Sequence, residues 1–118
     1  MTGVELNETE LNDAVASEVM GWHKYTDGIL RTWWIGAEGQ HHTLVELWNP
    51  CQDWAHTGKV LDKMNERGWH LTFTWYYPAP IARAHFTKGD IYGVGEDKSP
   101  GVAICRAALE AVERIKKG

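Results

Sequence analysis

The chain has 118 residues, of which 43% are hydrophobic and 24% are charged, and its 12 basic and 16 acidic side chains give a net charge of -4. This length and composition predict one folded domain spanning residues 1–118, and the acidic balance argues against broad nucleic-acid binding, which needs a basic face. No apolar run approaches the roughly 18 residues that a membrane span needs, and the acidic N-terminus lacks the apolar core of a signal peptide. Cys51 and Cys105 have no CxxC spacing, so we expect reduced thiols in a cytoplasmic protein.

The first half of the chain predicts a helix, a β-hairpin and a second helix. Apolar residues recur at helical spacing over residues 8–20, and Asn7 with Glu10 is the predicted capping pair at the start of this helix. The β-prone runs ILRTWWI at 29–35 and HTLVELW at 42–48 flank a glycine-containing turn, which is typical of a hairpin. Asp53 is the predicted N-cap of an amphipathic helix over residues 53–67.

The second half predicts a hairpin and a closing helix. Residues 69–77 alternate between large apolar and polar side chains, and a partner strand follows from residue 81 after a proline-rich turn. Residues 91–94 are expected to form a short edge strand. Ser99 and the proline after it are the predicted start of a helix over residues 100–116. The order α-β-β-α-β-β-α predicts an α/β (α+β) layered sandwich whose mainly antiparallel sheet is covered by helices.

Several stretches of the chain resemble the phage ABA-sandwich family. They are EVMGW at 18–22, the tryptophan–proline stop at 48–50 and the alanine-rich SPGVAICRAALEAV at 99–112, and the likeness covers roughly residues 11–113. Residues 51–53 read Cys-Gln-Asp where many members have Ser-Thr-Asp. The resemblance implies an α-β-α layered fold and a phage or prophage origin, and hence a bacterial host cell. It implies no agreed activity, and no catalytic or binding residue is carried over.

The sequence does not point to enzymatic chemistry. His41 and His42 are adjacent, so on a strand they face opposite sides and cannot share a metal ion. Asp53 and His56 lie three residues apart on one helix, but no third ligand has matching spacing. No nucleophile-elbow motif is present. We therefore expect a non-enzymatic protein with no catalytic residue, no bound metal and no cofactor.

Two polar features predict a ligand site, although an ordinary loop and a solvated sheet face would also explain them. The glycine-rich connection at 89–101 delivers Lys98, Ser99 and backbone amides to the start of the last helix, where phosphate binds readily. The second hairpin gathers hydroxyl, imidazole, guanidinium and aromatic groups on one face, which suit a phosphate and a purine. These residues are His70, Thr72, Thr74, Tyr76, Arg83 and His85.

The first functional hypothesis is therefore a binding protein that sequesters a small nucleotide-like immune signal, by analogy with small phage anti-defence proteins. Its base would stack on aromatic rings drawn from Trp33, Trp34 and Tyr76. Its phosphates would contact the polar groups of the two features above. The predicted site therefore also contains Arg83, His85, Lys98 and Ser99. The alternative is a protein-interaction module that inhibits or assembles with a host or phage protein, because surplus tryptophan also suits an interface. Exposed tryptophans and an edge strand further predict a homo-oligomer.

Overall fold

The computed structural model describes residues 6–76 and 80–117. The helices in this part of the chain are α1 (Glu8–Ala14), which continues as a π-helical turn (Val15–Val19), α2 (Trp54–Glu66) and α3 (Pro100–Lys117). Sheet A consists of β1 (His23–Thr26), β2 (Thr32–Ile35) and β3 (His41–Leu44). Sheet B consists of β4 (His70–Tyr76), β5 (Ile81–Lys88) and β6 (Ile91–Asp97). Both sheets are antiparallel throughout. The predicted end of β4 at residue 77 and part of the turn after it lie outside the described residues.

The predicted layered α+β fold is confirmed, and α3 is its central element. One side of α3 packs on β5 and β6, and other parts of the helix contact α1, the π-helical turn and α2. This position buries most of the helix, including Ile104, Ala108 and Val112 of the predicted apolar stripe. An alanine-rich sequence suits the position, because small side chains allow neighbouring elements to approach closely.

Two glycines of β6 let α3 lie directly on the strand. A Cβ atom on Gly93 would collide with the backbone of Ala107 and Ala111, and one on Gly95 would collide with the carbonyl oxygen of Ala103. Packing that leaves no room for a methyl group makes any larger residue costly at these positions. The glycine-rich connection expected from the sequence is therefore largely strand β6, which continues past residue 94.

The helix starts follow the predicted capping chemistry. The side chain of Asn7 accepts a hydrogen bond from the backbone N–H of Glu10 at 2.8 Å, and Glu10 Oε1 accepts one from the backbone N–H of Asn7 at 3.0 Å. At the start of α2, Asp53 Oδ1 accepts a hydrogen bond from the backbone N–H of Ala55 at 2.9 Å. These contacts satisfy N–H groups that have no partner within their own helices.

The first hairpin is shorter than predicted, because a carboxylate-centred turn takes residues assigned to its first strand. Asp27 Oδ1 accepts hydrogen bonds from the backbone N–H groups of Ile29 at 2.9 Å and Arg31 at 3.0 Å. Leu30 adopts a left-handed conformation with φ 64°. These local hydrogen bonds outweigh the β propensity of the isoleucine–leucine pair, so β2 begins only at Thr32.

The second run of the hairpin was wrongly predicted as strand up to residue 48. It pairs with β2 only as far as Leu44, and Val45–Leu47 form a 3-10 turn. The tighter turn brings Trp48 into the core, where it is 3% exposed and its Nε1 donates a hydrogen bond to the backbone oxygen of Asn12 at 2.9 Å. Strand β1 was not predicted at all, because its four residues are all exposed and carry no apolar alternation.

Candidate functional site

The predicted polar face of the second hairpin is the outer face of sheet B, on the side opposite α3. In the β4–β5 register Thr72 lies opposite His85, Thr74 opposite Arg83, and Tyr76 opposite Ile81. Directly opposed residues of an antiparallel pair point to the same side. The alternate residues of β5 are buried beneath α3, whereas the residues of this face are exposed or half-buried. The structure thus brings together three of the predicted site residues, namely Tyr76, Arg83 and His85.

Arg83 holds the middle of this face, because it lies on the central strand between Thr74 of β4 and Glu96 of β6. Its side chain is 44% exposed, and its Nε lies 3.8 Å from Oε2 of Glu96. That separation is longer than a hydrogen bond, and an exposed pair of this kind contributes little to stability. The guanidinium is therefore loosely held and accessible to an anionic group.

His85 is a half-buried neighbour of Arg83 two positions along β5. Its ring meets the ring of Tyr92 edge-on, with the centroids 5.5 Å apart. Its Nε2 atom is buried and has no hydrogen-bond partner among the described residues. Buried polar atoms are usually paired. His85 Nε2 is an exception, and it leaves one hydrogen-bonding atom of this face unsatisfied. His70 shares the face but lies opposite Thr87, one diagonal step from His85.

The predicted tryptophans belong to sheet A, and the structure does not place them beside Tyr76 on one surface. Trp33 and Trp34 are adjacent on β2 and therefore face opposite sides of the sheet. Trp33 Nε1 donates a hydrogen bond to Oδ2 of Asp27 at 2.9 Å, and the guanidinium of Arg31 lies 5.3 Å from its ring centroid. Trp34 is only 3% exposed, and its Nε1 is buried without a partner among the described residues.

A cleft of about 410 Å³ adjoins Trp34 where the N-terminal helix meets sheet A. It is lined by Asp13, Ala14, Ser17, Trp22, His23, Lys24 and Trp34. Lys24 Nζ lies 3.2 Å from Oδ2 of Asp13 and 5.4 Å from the ring centroid of Trp34. Sequence reasoning missed this cleft because it depends on β1, which had no recognisable pattern. Its volume lies within the range of small-molecule pockets, which makes it the second candidate site.

Protein groups already occupy the start of α3, where a phosphate was expected. The backbone N–H of Ser99 donates a hydrogen bond to Oδ2 of Asp97 at 2.9 Å, and the Ser99 hydroxyl donates one to the backbone oxygen of Cys51 at 3.2 Å. A Cβ atom on Gly101 would collide with the carbonyl oxygen of Cys51. A carboxylate and a carbonyl group therefore hold this helix terminus. Lys98 is exposed and follows directly on β6, at the same end of sheet B as Tyr76.

The histidine on α2 that was weighed as a metal ligand has a structural role. His56 Nδ1 accepts a hydrogen bond from the backbone N–H of Asn49 at 2.9 Å, and its ring stacks on Trp48 with the centroids 5.0 Å apart. Within residues 6–76 and 80–117, no three His, Cys, Asp or Glu side chains converge into a metal-binding group. Of the helices in those same residues, none has the length and apolar character to cross a membrane.

The fold defines an α+β sandwich in which a central helix separates one sheet from the remaining helices. The chain belongs to the Phage ABA sandwich domain family, whose model matches residues 13–109. This match confirms the resemblance seen in the sequence and makes the chain a phage-type protein. A phage protein from Bacillus cereus ATCC 14579, known from a 2.0 Å crystal structure, has a similar fold with a TM-score of 0.69 and 15% sequence identity. The similarity covers 94% of this chain and 97% of that one. No curated protein matches significantly.

Proposed function

We propose that this protein is a non-enzymatic binding protein that captures a small nucleotide-like ligand on the outer face of sheet B, in the cytoplasm of a bacterial host. The observation that carries the proposal is the position of Arg83. A loosely paired guanidinium lies on the central strand of sheet B, next to the hydroxyl-bearing Thr74. Guanidinium groups bind phosphates in a bidentate manner, and the residues of this sheet face are exposed or half-buried.

The residues around Arg83 supply complementary groups for the rest of such a ligand. The hydroxyls of Thr72 and Thr74 can donate or accept hydrogen bonds, and Tyr76, which is 44% exposed, offers a ring for stacking at the end of β4. Lys98 adds a positive charge at that same end. Stacking contributes about 1–3 kcal/mol per base, and a charge-assisted hydrogen bond contributes about 1.5–3 kcal/mol. Two such contacts support micromolar binding, about -8 kcal/mol, only on a preorganised surface.

The role proposed here is sequestration, so the ligand is expected to be released chemically unchanged. The test is titration calorimetry of the full chain against cyclic dinucleotides and cyclic ADP-ribose isomers, followed by mass spectrometry of the ligand after heat release. Arg83→Ala should weaken binding roughly ten- to a hundred-fold, the effect of losing one charge-assisted contact. Lys24→Ala is the matched control, because it removes a cation from the cleft beside Trp34.

The outcomes separate the candidate sites and functions. If Lys24→Ala weakens binding and Arg83→Ala does not, the ligand occupies the cleft instead of the sheet. Turnover of the ligand would contradict a non-enzymatic role. If no member of the panel binds more tightly than about millimolar, the second candidate function takes first place. That function is an interaction module for a host or phage protein, and the apolar side chains exposed on β4 favour it.

A further inference from the structure

We propose that two copies of this chain associate through β4, which pairs antiparallel with its counterpart about a twofold axis at Phe73. This strand forms an edge of sheet B, with β5 on its only hydrogen-bonded side in the described residues. All seven of its residues are exposed. An edge strand presents unpaired backbone N–H and C=O groups, which are a template for pairing with another strand.

One face of β4 also carries a row of apolar side chains that the fold leaves uncovered. Leu71, Phe73 and Trp75 are 38%, 41% and 45% exposed. In the β4–β5 register they lie opposite three buried residues of β5, in the order Phe86, Ala84 and Ala82. The row therefore belongs to the face that α3 covers over β5 and β6, but it lies beside the helix instead of beneath it. A contiguous apolar row of this kind indicates an interaction surface.

The composition of β4 favours a second copy of the chain as the occupant. The strand contains no Lys, Arg, Asp or Glu. Natural edge strands use such charged residues to prevent self-pairing. Antiparallel pairing about Phe73 sets Phe73 against its counterpart, Leu71 against Trp75, and Thr72 against Thr74. Apolar groups then meet apolar groups on one face and hydroxyls meet hydroxyls on the other, which are favourable cross-strand pairs. No like charges are brought together.

The other strand edges in the described residues are less suited to self-pairing. The opposite edge of sheet B is β6, which ends in Glu96 and Asp97 and is packed closely against α3. The edges of sheet A are β1 and β3, each of only four residues. Pairing through β4 also closes on itself, since a twofold interface uses the same strand from both copies. The expected product is a dimer with a continuous six-stranded sheet.

A charge-swap experiment tests the twofold pairing directly. Sedimentation equilibrium of the full chain should show a concentration-dependent dimer. Phe73→Glu and Phe73→Lys each place like charges on the axis, so each variant alone should associate at least about tenfold more weakly. An equimolar mixture should regain dimers, because glutamate then meets lysine. Ile29→Glu, a substitution at a 69% exposed apolar residue of the turn between β1 and β2, should leave the dimer intact.

Three outcomes would overturn the proposal: a wild-type chain that stays monomeric at every concentration, charged variants that dimerise like wild type, and a mixture that stays monomeric. Capture of a different protein by a monomeric chain would assign the apolar row to a heterologous partner. The readout is oligomeric state, so it is independent of whether the outer face of sheet B binds nucleotides. Circular dichroism of each variant establishes that it is folded.

Cross-linking gives a second measurement that does not depend on introduced charges. Opposed residues of an antiparallel pair have Cα atoms roughly 4.5–5.5 Å apart, within reach of a disulfide. Phe73→Cys should therefore form a covalent dimer under mild oxidation. Leu71→Cys should not form one. In the proposed register the two Leu71 positions lie four residues apart along the strand direction, which is roughly 13–14 Å. The native cysteines are 1% and 0% exposed and do not compete. Equal cross-linking by both variants, or by neither, would contradict the register.

Discussion

The thiol of Cys105 forms a hydrogen bond with the side chain of Cys51, and both cysteines are free and buried. This contact links the first third of α3 to the loop before α2. The pKa of Cys105 is raised, first by the hydrogen bond to Cys51 and second by burial. Thiol chemistry needs the thiolate and access to it, so neither cysteine is placed to react in the folded protein.

The thiol prediction follows from this pair. A thiol reagent at mildly alkaline pH should label neither cysteine of the native protein and both after unfolding in the absence of reductant. Cys51→Ala should leave the native protein unreactive, since Cys105 is 0% exposed. Labelling of no thiol after unfolding would show a disulfide and would contradict the expectation of reduced cysteines. Rapid labelling of the native protein would contradict the burial.

A glycine prediction concerns the close contact between β6 and α3. Gly95→Ala should lower the free energy of unfolding by about 1–3 kcal/mol, because the added methyl group meets the helix backbone and forces it away. Gly58→Ala is the matched control within α2, where an added Cβ meets nothing within 4 Å. That substitution should raise the free energy of unfolding by about 0.5–1 kcal/mol, since alanine is the better helix former. Urea denaturation of both variants gives the comparison, and equal effects would refute the close packing.

A pH prediction concerns the turn between β1 and β2. Hydrogen bonds from Trp33 and from the backbone N–H of Arg31 hold the pKa of Asp27 at about 2, below its ordinary value of 3.8. A lowered pKa in the folded state means that the unfolded chain binds the proton more readily. The stabilisation from Asp27 is therefore complete above pH 3.8 and is lost as the pH falls through about 2.

Asp27→Asn should remove this component of the pH dependence. Urea unfolding of wild type should show a falling free energy of unfolding as the pH drops below 3.8, and the variant should show a shallower fall. Asp62→Asn is the control, because it removes an exposed carboxylate from α2 without removing a hydrogen bond of the turn. An unchanged slope in the Asp27 variant would show that the turn contributes nothing to acid sensitivity.

Much of the fold could be predicted because its signals are local. The caps at Asn7, Asp53 and Ser99 mark the starts of the three helices, and the alternation over 69–77 identifies β4. Strand β1 has no such signal, because it is exposed on both sides and is held by pairing with β2. The 3-10 turn before Trp48 was also hidden, because it depends on a hydrogen bond to Asn12, far away in the chain.

The candidate site was only partly predictable, because some of its contacts join residues that are distant in the chain. Alternation along β5 correctly assigned Arg83 and His85 to one face. It could not show that the backbone oxygen of Cys51 also occupies the start of α3, because Cys51 is 48 residues away from Ser99 in the chain. Alternation also implies that the apolar residues of β4 are buried, whereas Phe73 and its neighbours are exposed. Burial depends on which strands α3 covers, and periodicity carries no information about that.

The position of α3 on one side of sheet B has a consequence for how this protein can diverge. Alternate positions of β5 are under different constraints. Ala82, Ala84 and Phe86 must fit against the helix, whereas Arg83 and His85 lie on the other face and do not touch it. Mutations at the second set therefore change the exposed face of the sheet at little cost to folding. Evolution can therefore replace the exposed surface by substitutions on alternate residues, while the buried half of the same strand keeps the scaffold constant.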